Sequence, residues 1–262
     1  MTESTLFTLA FVLYAGALIV YFAGLFARRE KWAGGGLGLA AIGFCGHTAA
    51  LVLRTASSGH APFTNMFESL SFLSWAVVLA LIIFGRKTRV PQLAPYLMLI
   101  VVALVALASS PLMPKGAAPL VPALQSYWLW LHVSVTLLGE AFFAVAFVAG
   151  LLYLAADTEE KKARLDALAY RAVAVGFPLF TLGGLVFGMV WAYRAWGRYW
   201  AWDPKEVWSL ITWFVFALYL HTRIVMGWKG KRSAIVAIVG FLAALFTYFG
   251  VNYLLAGLHS YA

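Results

Sequence analysis

Eight apolar stretches set the limits on what this chain can fold into. They run at about residues 5–27, 33–53, 67–85, 91–109, 127–154, 172–193, 205–226 and 233–255. Each is near the roughly 20 residues that a helix needs to cross a bilayer core. In hydrocarbon a backbone must satisfy its own polar groups, so spans of this kind are helical. Over 262 residues, 63% are hydrophobic and only 11% charged, which no soluble domain of this size matches. The expected fold is an all-α polytopic membrane helix bundle of about eight transmembrane helices, forming a single domain over residues 1–262. The first span carries its positive residues after the apolar run, so it reads as a retained helix and not a cleaved signal peptide.

Lys and Arg give the orientation. One set of loops carries Arg28, Arg29, Lys31, Arg86, Lys87, Arg89, Lys161, Lys162, Arg164, Arg171, Arg223, Lys229, Lys231 and Arg232. The other carries only Arg54, Lys115, Arg194, Arg198 and Lys205. The positive-inside bias puts the first set in the cytoplasm and both termini outside. It also accounts for the net charge of +9 without nucleic acid. The single cysteine, Cys45, excludes an intrachain disulfide and a Cys-x-x-Cys pair. It lies in an apolar run and reads as a small buried hydrophobe. No Cys-x-x-Cys-His occurs, so the chain is not itself a c-type cytochrome.

Chemistry concentrates in one outer loop, residues 194–204, which contains Trp196-Gly-Arg-Tyr-Trp-Ala-Trp-Asp203 and runs into Pro204-Lys-Glu206. Asp203, Pro204 and Glu206 have the spacing of a capping box that opens a helix. Tryptophan and tyrosine also gather at membrane interfaces. Neither reading explains Trp196, Trp200 and Trp202 crowded around Gly197 and Arg198. Three indoles with a guanidinium make a flat, π-rich surface with an anion partner, suited to a large planar ligand bearing carboxylates. Asn65 and Glu68 have capping-box spacing as well. The loop 157–171 mixes both charge signs and reads as a short solvated helix.

His132 lies about one turn inside the fifth span at its outer end, and His259 just beyond the eighth, also outside. Two imidazoles flanking a tryptophan platform can ligate one iron from both faces. A lone histidine near a span end is ordinarily an interface residue bonded to backbone or water. The coincidence of two with the loop on one face favours ligation. Arg194 and Arg198 are candidates to pair with propionates, either one or both. His221 lies roughly 24 Å down the seventh span at 1.5 Å per residue, too deep to share that iron. It either handles haem lower down or is a helix-end histidine at the basic boundary. His47 and His60 read as packing and loop residues. No His-Glu-x-x-His or Gly-x-Ser-x-Gly occurs.

The tryptophan-rich stretch, continuing through Val207-Trp208 to Tyr219-Leu-His221, resembles the "WWD" signature of the CcsA/ResC family of system II cytochrome c biogenesis. The chain is similar to that family also at Gly59-His-Ala-Pro62, Asn65-Met-Phe-Glu-Ser-Leu70, Val121-Pro-Ala-Leu-Gln-Ser-Tyr-Trp-Leu-Trp-Leu-His132 and Val251-Asn-Tyr-Leu-Leu-Ala-Gly-Leu-His-Ser-Tyr261. The resemblance implies haem export and covalent haem attachment to apocytochrome c at the outer face of the bacterial inner membrane. It implies haem b as transient ligand, with His132 and His259 on the iron of an outer site and His221 on that of an inner site. Trp196, Arg198, Trp200, Trp202, Asp203 and Arg194 would surround the outer haem, with Asp203 serving first as a helix cap. The implied partners are a CcsB/ResB-like membrane protein, an apocytochrome with Cys-x-x-Cys-His, and a thioredoxin-like thiol reductant. Two other readings compete: an electron-transfer subunit with a permanent b-type haem, and a permease for another ligand.

Overall fold

The computed structural model describes residues 2–29, 31–85, 92–113, 115–116, 120–255 and 257. His259, and Arg86, Lys87 and Arg89 of the topology argument, lie outside the described residues. Every regular element among the described residues is helical. In order they are α1 (Glu3–Phe26), α2 (Lys31–Ser58), α3 (Met66–Gly85), α4 (Leu93–Ser109), a 3-10 turn (Pro122–Leu124), α5 (Tyr127–Ala155), α6 (Glu159–Phe180), α7 (Gly188–Trp196), α8 (Pro204–Ile224), α9 (Lys231–Leu245) and α10 (Val251–Leu254). Two π-helical segments are inserted without a break: Thr181–Phe187 between α6 and α7, and Phe246–Gly250 between α9 and α10. Seven continuous helices are therefore long and apolar enough to cross a membrane, and Leu93–Ser109 is a shorter apolar helix. Together they match the eight expected spans.

Two boundaries differ from the sequence reading. The second span continues to Ser58. The loop helix expected at 157–171 is not separate: Thr158 caps Lys161 N, and one helical rod runs from Glu159 to Trp196. Its first turns are solvated through the pairs Asp157–Lys161, Glu159–Lys162 and Glu160–Arg164. Charge there marks the wet end of a long helix, because a helix leaving the membrane needs no break to change its surface.

The chain divides into two compact units, residues 1–118 and 119–262. In the first, α1 packs on α2 and α4, and α3 on α2 and α4. A buried charge network closes one end. Arg54 donates to Glu68 and Glu3, each at 2.9 Å, and to the Lys115 carbonyl. Asn65 caps Glu68 N as expected, but the Glu68 carboxylate turns to Arg54 and to Thr64 instead of closing the box. A buried guanidinium is the stronger partner. Cys45 is exposed on the helix surface, contrary to the buried reading. An apolar helix in lipid needs no polar outer face, so an apolar flank does not mark the buried side.

In the second unit α5 packs against α6 and α9, and α8 against α6 and α9. The Phe143 and Phe216 rings stack at 3.6 Å in its core, joined by Phe180. The start of α5, the end of α7, the start of α8 and α10 meet at one end of this unit.

Candidate haem site at one end of the second unit

His132 sits in the second turn of α5. Its Nδ1 lies 2.8 Å from the carbonyl oxygen of Gly183, in the first π-helical segment. A carbonyl has no proton to give, so Nδ1 carries the hydrogen and Nε2 the lone pair. Gly183 O also accepts the π-type bond from Gly188 N, so the widened turn offers its second lone pair to the imidazole. Single-turn π segments recur at functional sites. Glycine is required twice. A Cβ at Gly183 would collide with the Thr136 amide, and one at Gly188 would sit 3.0 Å from the His132 ring. Trp191 stacks on the imidazole at 5.7 Å and 8°, and its indole N–H donates to Ala123 O at 3.0 Å. Trp196 meets Trp191 edge-on at 4.8 Å.

The tryptophan-rich loop begins where Gly197 ends α7 in the left-handed conformation, φ 74°. Arg194 and Arg198 are exposed there, and the Tyr193 and Tyr199 rings stack at 4.5 Å. Trp200 and Trp202 meet at 5.7 Å and 88°. The three loop indoles thus do not form one flat sheet: Trp196 joins Trp191, and Trp202 stands edge-on to Trp200. Trp202 has φ 57° and is 72% exposed. A left-handed conformation costs a residue with a Cβ about 1–2 kcal/mol, and such strain persists where surroundings enforce it. The enforcing contacts are visible. The Glu206 carboxylate accepts Ala201 N at 2.7 Å and Asp203 N at 3.2 Å, and Asp203 accepts Lys205 N at 3.1 Å. This is the predicted capping box, and it spans the residues flanking Trp202. The Trp200 indole nitrogen is buried with no acceptor among the described residues.

Gly257 packs on this cap so closely that a Cβ would lie 2.5 Å from Asp203 Oδ1 and 3.1 Å from Pro204 Cδ. Gly257 therefore docks at the C-terminal end of the tryptophan loop. The structure thus brings His132 and Trp196 together through Trp191, and holds Trp200, Trp202 and Asp203 in one capped turn. It does not bring His221 to them. That imidazole is exposed near the far end of α8, beside a bidentate Arg223–Asp166 pair at 2.7 and 2.8 Å.

His47 is fully buried with both nitrogens engaged, Nδ1 by Tyr14 at 3.3 Å and Nε2 by Ser71 at 2.8 Å. It is a satisfied core histidine. His60 is buried in its loop against the Ala61 carbonyl. Sequence reasoning missed Trp191, Gly183 and Gly188. The one local signal was a glycine-rich run, Gly183-Gly184 with Gly188, inside a span already carrying Pro178.

Residues 63–259 match the family described as cytochrome C assembly protein. This chain belongs to that family. Its relatives include the cytochrome c biogenesis protein CcsA of Chlamydomonas reinhardtii, 42% identical over 80% of this chain and 64% of that protein. The CcsA of Synechococcus sp. (strain CC9605) is 40% identical over 82% of each. The CcsA of Gloeobacter violaceus is 36% identical over 86% of each. The resemblance read from the motifs therefore holds at the level of the family. Among solved structures, the cytochrome c heme lyase CcmF superposes with a TM-score of 0.74 at 18% identity, covering 95% of this chain and 47% of that one. That likeness concerns the fold. The family chain spans just under two thirds of the Chlamydomonas protein and about half of CcmF.

Proposed function

We propose that this chain presents haem at the outer face of a bacterial inner membrane for covalent attachment to apocytochrome c. It would act as the CcsA-like subunit of a two-component synthase, with the whole chain as one haem-handling domain. The observation that carries the proposal is the bond from His132 Nδ1 to Gly183 O. Metal-ligating histidines commonly donate their second nitrogen to a carbonyl or carboxylate, which fixes the tautomer and ring orientation. Here that bond makes Nε2 the lone-pair nitrogen, and Trp191 holds the ring plane.

In this reading haem is the substrate. His132 and His259 would hold the iron through their imidazole nitrogens, and Trp196, Trp200 and Trp202 would line the macrocycle. Arg194 and Arg198, both exposed beside the loop, pair with propionates. Each apocytochrome cysteine of a Cys-x-x-Cys-His segment adds its S–H across a vinyl group: a C–S bond forms, the C=C π bond is lost, and the proton goes to the vinyl carbon. The chain contributes mainly positioning, which can supply several kcal/mol of a barrier (roughly 7–11 at best). His221, exposed on α8, is read as half of an inner site whose other ligand comes from a CcsB/ResB-like partner. A thioredoxin-like reductant keeps the cysteine pair as thiols.

The test is transfer. The chain, co-purified with its partner and carrying haem, is mixed with a reduced Cys-x-x-Cys-His apocytochrome. Conversion of the b-type absorption into a c-type spectrum that survives acid-acetone extraction supports the proposal. Haem that stays on the complex throughout indicates a permanent electron-transfer group instead.

A further inference from the structure

The first π-helical segment carries the carbonyl that bonds His132, and its winding is tied to a third helix. Pro178, near the end of α6, has no N–H and leaves that helix one bond short. Three residues on, at Thr181, the winding changes from α to π. The Phe177 carbonyl at this junction accepts both the Thr181 N–H and the Thr181 hydroxyl, the hydroxyl at 2.8 Å. Thr181 Oγ1 in turn accepts the indole N–H of Trp213 on α8 at 2.9 Å. The hydroxyl thus donates on one side and accepts on the other, which fixes its rotor. The Trp213 ring also packs on Phe177, with centroids 5.4 Å apart.

Two residues beyond Thr181 the same segment meets α5. Gly183 comes so close to the Thr136 amide that a Cβ would collide with it, and its carbonyl accepts from His132 Nδ1 at 2.8 Å. The π-helical segment is therefore held on one side by α5 and on the other by α8. Thr212, the neighbour of Trp213, makes a separate tie. Its Oγ1 lies 3.3 Å from Thr247 Oγ1, in the second π-helical segment.

Winding of this kind is rare and recurs at functional sites. A return to α winding at Thr181 would rotate the following residues about the helix axis and carry the Gly183 carbonyl away from α5. We propose that Trp213 and Thr181 are positioning residues whose hydrogen bond sets the point where α winding gives way to π, and so holds the Gly183 carbonyl on His132. This inference rests on the reading of His132 as a haem ligand. It requires the indole N–H and the Thr181 hydroxyl, not the volume of either side chain.

The experiment uses the chain co-purified with its partner and haem. It compares wild type with Trp213→Phe, Thr181→Val, the double variant, Thr181→Ser, Thr212→Val and His132→Ala. Ferric and ferrous absorption spectra report ligation. Trp213→Phe and Thr181→Val remain folded, lose part of the low-spin signal that His132→Ala loses, and bind haem about tenfold more weakly, the low end for loss of a partner that orients a metal ligand. The double variant is no worse than either single one, because both remove one bond. Thr181→Ser keeps the hydroxyl, Thr212→Val leaves the first segment untouched, and both give the wild-type spectrum. Wild-type spectra in Trp213→Phe and Thr181→Val, with His132→Ala altered, overturn the inference alone. So do additive losses in the double variant, or an equal spectral change or loss of folded protein in Thr212→Val, because those mark a packing role. A His132→Ala spectrum identical to wild type contradicts the haem-ligand reading itself.

Discussion

The His132 imidazole and the Gly183 carbonyl are joined by a 2.8 Å hydrogen bond from α5 to a π-helical turn, across a contact with no room for a methyl group. On the proposed haem reading, the turn is part of the ligand assembly. Gly183→Ala drives a Cβ into Thr136 and pushes the carbonyl off Nδ1. Loss of such an outer partner typically costs 10–100-fold in metal affinity or activity. Haem retention and cytochrome c maturation should fall by about that range while the far-ultraviolet helical signal persists. Full activity in Gly183→Ala would remove the carbonyl from the account.

Gly188→Val presses on the same ring, since even a Cβ would sit 3.0 Å from His132 Cε1 and Nδ1. The expected outcome is a haem spectrum with altered spin state and little change in expression. Gly184→Ala is the control. Its Cβ meets only Phe180 ring atoms at 3.5 Å or more, and it should behave as wild type.

Trp202 separates stability from binding. Replacing it with Gly relieves about 1–2 kcal/mol of left-handed strain and adds about 0.5–1 kcal/mol of chain entropy cost. The edge contact with Trp200 is lost as well. These contributions nearly cancel, so the unfolding temperature in detergent should move by only a few degrees. Haem retention should drop severalfold. A large fall in unfolding temperature would make Trp202 a packing residue.

Asp203 and Glu206 hold the loop by capping. Removing an N-cap costs about 1 kcal/mol, so Asp203→Ala should destabilise by that amount, with Asp203→Asn close to wild type. If Asp203 acted instead as a proton donor to substrate, Asn would be as inactive as Ala. Maturation assays on the two variants decide between these roles.

In the first unit Arg54 ties Glu3, Glu68 and the Lys115 carbonyl. Breaking a buried ion pair by removing one partner costs about 3–5 kcal/mol, because the other charge is stranded. Glu68→Ala should therefore lower the unfolding temperature in detergent more than any loop variant above.

Much of this was legible in the sequence. Apolar length gave the spans, and short-range spacing gave the Asp203–Glu206 box, because both signals are local. The π-helical turns were not legible: an apolar helix in lipid keeps the same residue types whether it winds at 3.6 or wider. Trp191 was overlooked because its partner, His132, lies on another helix. The same holds for Lys205, read as a loop charge, whose acceptor Asn252 lies on α10. Glu68 shows the converse, a correct local spacing overruled by a distant guanidinium. Cys45 shows that sequence hydropathy does not separate lipid-facing from core-facing positions.

The most direct measurement is the absorption spectrum of the purified complex, comparing wild type with His132→Ala, with and without millimolar imidazole. The account predicts a reduced b-type, six-coordinate spectrum in wild type, its loss or conversion to high spin in His132→Ala, and recovery with imidazole. A His132→Ala spectrum identical to wild type would contradict the assignment of His132 as a ligand.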